Sequence, residues 1–179
     1  VRLGTAEAAI KKPGRQDVLV IELAPGSRVA GVFTQNAFAA APVQVCRERL
    51  AVTPSIRALL INAGNANAAT GSGGLSDARA TTSAVASALG FSPEAVLPFS
   101  TGVIGQRLPV ERMTAAIPKA VAALSAEGWN RAAQAIMTTD TVAKGVSCRV
   151  ATSQGEVTVT GIAKGVGMIE PHMATLLAF

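Results

Sequence analysis

Val18-Leu19-Val20-Ile21-Glu22-Leu23, Ala24-Pro25-Gly26-Ser27 and Arg28-Val29-Ala30-Gly31-Val32-Phe33-Thr34 read in order as a β-rich run, a turn and a second β-rich run. Proline presets one turn torsion and glycine accepts a positive one, so the segment predicts a hairpin. Working outward, further strands are predicted at Val43 to Cys46, Arg57 to Asn62 and Val96 to Phe99. Another pair is predicted at Ser147 to Thr152 and Glu156 to Ile162, joined through Ser153-Gln154-Gly155. Helices are predicted between these runs. One covers Leu75 to Leu89 with Ser76 as N-cap, and one covers Trp129 to Met137. In a third, Val110, Met113, Ile117, Val121 and Leu124 share a face after Pro109, and Pro118 is expected to kink it. Hairpins mixed with helices favour a layered α/β (α+β) fold, with mixed sheets packed against helices, over a doubly wound parallel sheet.

Composition narrows the classes. The 179 residues are 49% hydrophobic and 15% charged, enough apolar material for a sizeable core. No apolar run approaches the roughly 18 residues of a membrane span, and no signal peptide is visible. The sequence opens on Val1 rather than an initiator Met, which predicts a processed or trimmed start. No repeat or low-complexity linker marks a boundary, so one domain is expected over 1–179. Cys46 and Cys148 lack any metal-ligand spacing and read as two buried, reduced thiols, in keeping with a cytoplasmic protein and no metal. The net charge of +5 is spread in ones and twos, densest at Lys11-Lys12-Pro13-Gly14-Arg15, and the chain has no Tyr and one Trp. That pattern argues against nucleic acid and suits an anionic small substrate.

Four segments carry residue types suited to chemistry. Ile61-Asn62-Ala63-Gly64-Asn65-Ala66-Asn67-Ala68-Ala69-Thr70-Gly71 follows an apolar run; its amides serve either a structural turn network or a bound substrate. Pro98-Phe99-Ser100-Thr101-Gly102-Val103-Ile104-Gly105 sets a Thr hydroxyl beside a Gly amide, a pair suited to an oxyanion hole and equally able to end a strand. Ile136-Met137-Thr138-Thr139-Asp140-Thr141-Val142-Ala143-Lys144 brings hydroxyls and a carboxylate to a helix end, for substrate binding or for capping. The last, Gly161-Ile162-Ala163-Lys164-Gly165-Val166-Gly167-Met168-Ile169-Glu170-Pro171-His172-Met173-Ala174-Thr175, lacks the order of a phosphate-binding P-loop. Lys164 stands 11 residues before Thr175, where an ammonium can pair with a substrate carboxylate. A Thr made N-terminal by cleavage has a hydroxyl nucleophile and an amine of pKa about 8 to act as its base, so His172, the only histidine, is not required.

In their order, INAGNANAATG, STGVIG, IMTTDT and AKGVGMIEPHMATLL resemble the arginine-biosynthesis family of ornithine acetyltransferases, also called bifunctional glutamate N-acetyltransferases. The resemblance runs over essentially the whole chain. It implies a self-processing enzyme of N-terminal-nucleophile type, with this chain matching the family's α-chain half plus the first residues of the β chain. Carried over residue by residue, it implies cleavage between Ala174 and Thr175. The Thr175 hydroxyl attacks the Ala174 carbonyl, an N-to-O acyl shift gives an ester, and water releases the α chain. Thr175 then takes an acetyl group from N2-acetylornithine, releases ornithine and passes the acetyl to glutamate, a ping-pong route. Thr101 and Gly102 match the oxyanion-hole pair, and Thr138, Lys164 and Thr175 match substrate-binding positions. The resemblance further implies no resident cofactor, with acetyl-CoA a co-substrate in one branch of the family. The partner is the β chain of the same precursor, in an αβ hetero-oligomer such as a heterotetramer. Two other readings are open on the residues alone: a self-processing aminopeptidase or amidase with a Thr nucleophile, and a binding or scaffold piece inactive without its β half.

Overall fold

The computed structural model describes residues 1–52, 55–165 and 176–179. Its larger sheet holds four strands in the order β1 (Arg2–Ala6), β2 (Val18–Glu22), β3 (Ala58–Asn65) and β4 (Val96–Val103). β1 and β2 are antiparallel, as are β2 and β3, while β3 and β4 run parallel. The helices are α1 (Ala41–Val52), α2 (Gly71–Leu89), α3 (Val110–Ala122) and α4 (Trp129–Ala135), with a 3-10 turn at Pro93–Ala95. α2 is the crossover between the two parallel strands. A second sheet, of β5 (Lys144–Thr152), β6 (Gly155–Lys164) and β7 (Leu177–Ala178), is antiparallel throughout.

Side-chain alternation along the strands builds two cores, one on each face of the larger sheet. Val18, Val20, Ala58, Leu60 and Val96 pack with Val85 and Ala86 of α2 and Met113, Ile117 and Ala120 of α3. Leu19, Ile21, Ile61 and Leu97 turn the other way, toward Cys46 of α1, Ala132 and Ala135 of α4, and Ile162 of β6. Strands covered on both faces need unbroken apolar runs, and Val18-Leu19-Val20-Ile21 and Leu59-Leu60-Ile61 are such runs. The mixed α/β layering expected from the sequence is therefore present.

Three local expectations are corrected. The Pro25-Gly26 turn forms, with the Ser27 N–H donating to the Ala24 carbonyl, but Arg28–Thr34 makes no strand. Both edges of β2 are already taken, by β1 and β3, so no place is left for a hairpin partner. Val43 to Cys46 is helical, because Pro42 falls in the first turn of α1 and Val45, Cys46 and Arg49 line its buried side at helical spacing. α2 begins at Gly71, before Ser76; the Thr70 hydroxyl at its start donates to Asn67 Oδ1 instead of capping the helix. α3 runs through Pro118 to Ala122. No helix among the described residues is long and apolar enough to cross a membrane.

Candidate active site

The parallel pair β3–β4 sets the asparagine loop against the Ser-Thr-Gly segment, with Asn62 opposite Ser100, Ala63 opposite Thr101 and Gly64 opposite Gly102. Gly64 and Gly102 have φ of 112° and 135°, and a Cβ on Gly102 would overlap the Gly64 carbonyl carbon and the Asn65 nitrogen. Glycine is required there because two backbones meet where a side chain has no room. A register shift at Asn65 accompanies this approach. Ile10 and Lys11 lie against Gly64 from the other side.

The asparagines are structural. Asn62 donates to the Asn65 carbonyl (2.8 Å) and accepts from Ser100 Oγ (2.6 Å). Asn65 donates to the carbonyls of Gln106 and Arg107 and accepts from the Asn67 N–H, and Asn67 donates to the Gly74 carbonyl. All three side chains are buried, and these bonds tie β3 to the start of α2 and to the loop after β4. Buried amides need such partners, so the network fixes the backbone on which Thr101 and Gly102 sit.

Thr101 and Lys164 are both fully buried, and Lys164 Nζ donates to Thr101 Oγ1 at 3.2 Å across 63 residues of sequence. An ammonium can only donate, so the Thr101 oxygen accepts and its own O–H is left to donate. Burial lowers the Lys164 pKa, the Asp140 carboxylate works against that, and the Lys144 charge adds to it. The lysine is thus held buried against Thr101, where electrostatic interactions are stronger than in water.

Asp140 ties the segment after α4 to the ends of the smaller sheet. Its side chain is buried and accepts from Lys144 Nζ (2.7 Å), the Gly165 N–H (2.7 Å) and the Thr138 N–H (3.3 Å). Burial opposes its charge, but the bonds from Lys144, Gly165 and Thr138 outweigh burial and hold the carboxyl below its ordinary range. Arg15 reaches the same turn, donating to the Met137 carbonyl at 2.6 Å.

The structure therefore joins Thr101, Gly102 and Lys164 directly and links Thr138 to Gly165 through Asp140. Ala174, Thr175 and His172 lie outside the described residues. Sequence reasoning missed the tethering by Asp140 and Arg15. An Asp four residues before Lys144 in a Thr-rich turn was the visible signal for the first; Arg15 stood out only as the end of the basic cluster Lys11–Arg15, with nothing to point to a partner 122 residues away. Cys46 is buried, donates to the Pro98 carbonyl and has its pKa pushed up to about 12 by burial, so it stays a protonated thiol. Cys148 is exposed, which corrects the expectation of two buried thiols, and both cysteines are free. No cluster able to hold a metal is found among the described residues.

Fold and site together define a layered α/β protein in which a buried lysine on one sheet meets a threonine hydroxyl at a glycine-opened strand end of another. The chain belongs to the ArgJ family, whose model matches residues 2–179. It is 59% identical, over all 179 residues, to the arginine biosynthesis bifunctional protein ArgJ of Methylococcus capsulatus, of which it spans 43%. It is similar to a crystal structure of ornithine acetyltransferase from Mycobacterium tuberculosis, complexed with ornithine: 37% identity, TM-score 0.85, 98% of this chain and 92% of that one. It also resembles the ArgJ structure from Bacillus halodurans, at 34% identity and TM-score 0.81, over 95% of this chain and 88% of that one.

Proposed function

We propose that this chain is the α-part of an ornithine acetyltransferase that moves acetyl groups from N2-acetylornithine to glutamate for arginine biosynthesis in the cytoplasm. The observation that carries the reading is the buried Lys164–Thr101 pair beside Gly102, in a chain of the ArgJ family. In this reading Thr175 is the nucleophile, made N-terminal by cleavage after Ala174. The Thr101 O–H and the Gly102 N–H donate to the oxyanion that forms when Thr175 attacks a carbonyl, and Lys164 keeps the Thr101 oxygen as acceptor so that its hydrogen faces the developing charge. Lys164 and Thr138 hold the amino-acid substrate, the lysine by its carboxylate. The acetyl group leaves acetylornithine for the Thr175 oxygen while the departing amine takes a proton; glutamate's amine then takes the acetyl and restores the hydroxyl.

Lengths support the two-chain form. The match covers nearly all of the Mycobacterium tuberculosis chain but under half of the Methylococcus capsulatus protein, so the solved counterpart is a polypeptide of about this size. The β chain is the partner required for a complete site. Glutamate as acceptor, rather than water, separates this reading from an amidase. Acetyl-CoA enters as an alternative donor to the same threonine.

The test is the intact mass of the protein made from its full reading frame, wild type against Thr175→Ala, with acetyl transfer assayed on both. Two fragments meeting at Ala174 and Thr175 in the wild type alone, with glutamate-dependent transfer, are expected. A wild type that transfers acetyl groups while uncut, or a Thr175→Ala protein that still cleaves, overturns the reading.

A further inference from the structure

The β5–β6 ribbon is chemically two-faced. Its register pairs Cys148 with Val159 and Val150 with Val157, and sets Val146 opposite Gly161 on the same side, which gives an apolar stretch bounded by Lys144 at one end and Thr152 at the other. The alternate residues pair Ser147 with Thr160 and Arg149 with Thr158, and this face carries a Ser147–Thr160 hydrogen bond of 2.8 Å and an Arg149–Glu156 ion pair. Ile162 and Lys164 continue the polar side of β6 and are the residues buried against the rest of the protein. Beyond those two residues the ribbon is exposed on both sides: its polar side bears groups that water satisfies, such as Arg149 and Glu156, while its valine side bears apolar groups left without cover. Val146 is 71% exposed and Val159 54%. A two-stranded ribbon is marginal alone, and an apolar sheet face is stable only under a second layer.

We propose that this valine face is the docking surface for the downstream polypeptide, the part of ArgJ proteins lying beyond the region matched here. The proposal rests on the two-chain reading above and names the surface that joins the chains. Two observations choose this occupant over a second copy of the same chain. Leu177–Ala178, which lies past the proposed cleavage point, already pairs with Ala163–Lys164 as the third strand of this sheet. The ribbon is therefore continuous with the first contact between the two products. The Methylococcus capsulatus protein has more than half its length outside the match, ample chain for a covering layer. β5 adds an open edge, since it pairs only with β6 among the described residues, so the incoming layer can also extend the sheet.

The test places a photo-crosslinking benzoyl-phenylalanine at Val159 of the full-length protein and identifies the attached peptides by mass spectrometry. Peptides from beyond Phe179 are expected. Peptides from residues 1–174 of another copy, or no protein adduct at all, overturn the proposal. In parallel, Val159→Lys should reduce co-purification of the two cleaved halves at least tenfold, while Thr158→Lys on the polar face leaves it unchanged; equal behaviour of the two variants also overturns it. Intact mass and acetyl transfer of the same preparations keep the readings apart. A cleaved, active enzyme that crosslinks elsewhere sinks only the surface, whereas an uncut, inactive one sinks the function and still yields a crosslink map.

Discussion

Gly102 and Gly105 stand three residues apart, both at positive φ, and differ in one respect: a Cβ on Gly105 meets nothing within 4 Å, while on Gly102 it meets the backbone of β3. Gly105→Ala should cost about 1–2 kcal/mol of backbone strain and leave transfer intact. Gly102→Ala should cost more and, by displacing the amide beside Thr101, lower acetyl transfer by about 100-fold. Thermal unfolding and turnover of the two variants check this, and equal behaviour would rule out the close approach as the reason for glycine. Asp140 gives a pH signature. Its folded pKa is depressed, so its contribution is complete above the ordinary Asp value of about 4 and is lost as pH falls through the lower folded value. The stability gap between wild type and Asp140→Asn should therefore be widest near neutrality and shrink below about pH 4, as followed by urea unfolding across pH. At this scale the sequence showed which residue types were available but not their pairings. Thr101 and Lys164 were each legible as candidates, yet their contact spans 63 residues and depends on how two sheets dock.

α1 shows how an element can be misread and then held. Val43-Gln44-Val45 alternates as a strand does, and four residues are too few to separate the two periods. What settles the helix is tertiary: among the described residues β4 is paired on one side only, by β3, and the carbonyls of Val96 and Pro98 are taken by Arg49 and Cys46 of α1. Two side chains of one helix thus cover the backbone of an edge strand that would otherwise be open to another chain. Arg49→Leu removes a donor from the buried Val96 carbonyl and should cost about 1–3 kcal/mol, read as a lower urea midpoint with unchanged slope. A variant as stable as wild type would mean that another group satisfies that carbonyl. The β5–β6 ribbon was legible over Ser147–Thr152 and Glu156–Ile162 because its alternation is long and its turn residues are explicit, but its inner ends, from Lys144 and to Lys164, were not. Which of its faces meets the body was not, since that depends on where Ile162 and Lys164 land.

Across the whole molecule, the larger sheet is covered on both faces, whereas the smaller one is buried at its inner end, at Ile162 and Lys164, and exposed along the rest of β5 and β6. The part that can stand alone and the part that awaits company are thus distinct. Produced as residues 1–174 without the downstream polypeptide, the chain should self-associate through the ribbon. Val159→Thr should raise its soluble fraction, and co-production of the downstream part should raise it further, both readable by size-exclusion chromatography. A monodisperse isolated chain would argue that the valine face needs no cover. Layering was predictable here because fully buried strands write unbroken apolar runs; the two-sheet division was not, because it rests on contacts among residues far apart in sequence.

The long reach of the Lys164–Thr101 bond has a kinetic meaning. Contacts that close large loops form late in folding, after the local hairpins and helices are in place. On the proposed mechanism the scission machinery comes into being only with that closure, so a chain cuts itself only once it has found its shape. Under that mechanism cleavage would be a molecular receipt for correct folding: two-chain copies would be copies already inspected, and chains that never complete the lysine–threonine contact would stay whole, distinguishable by length.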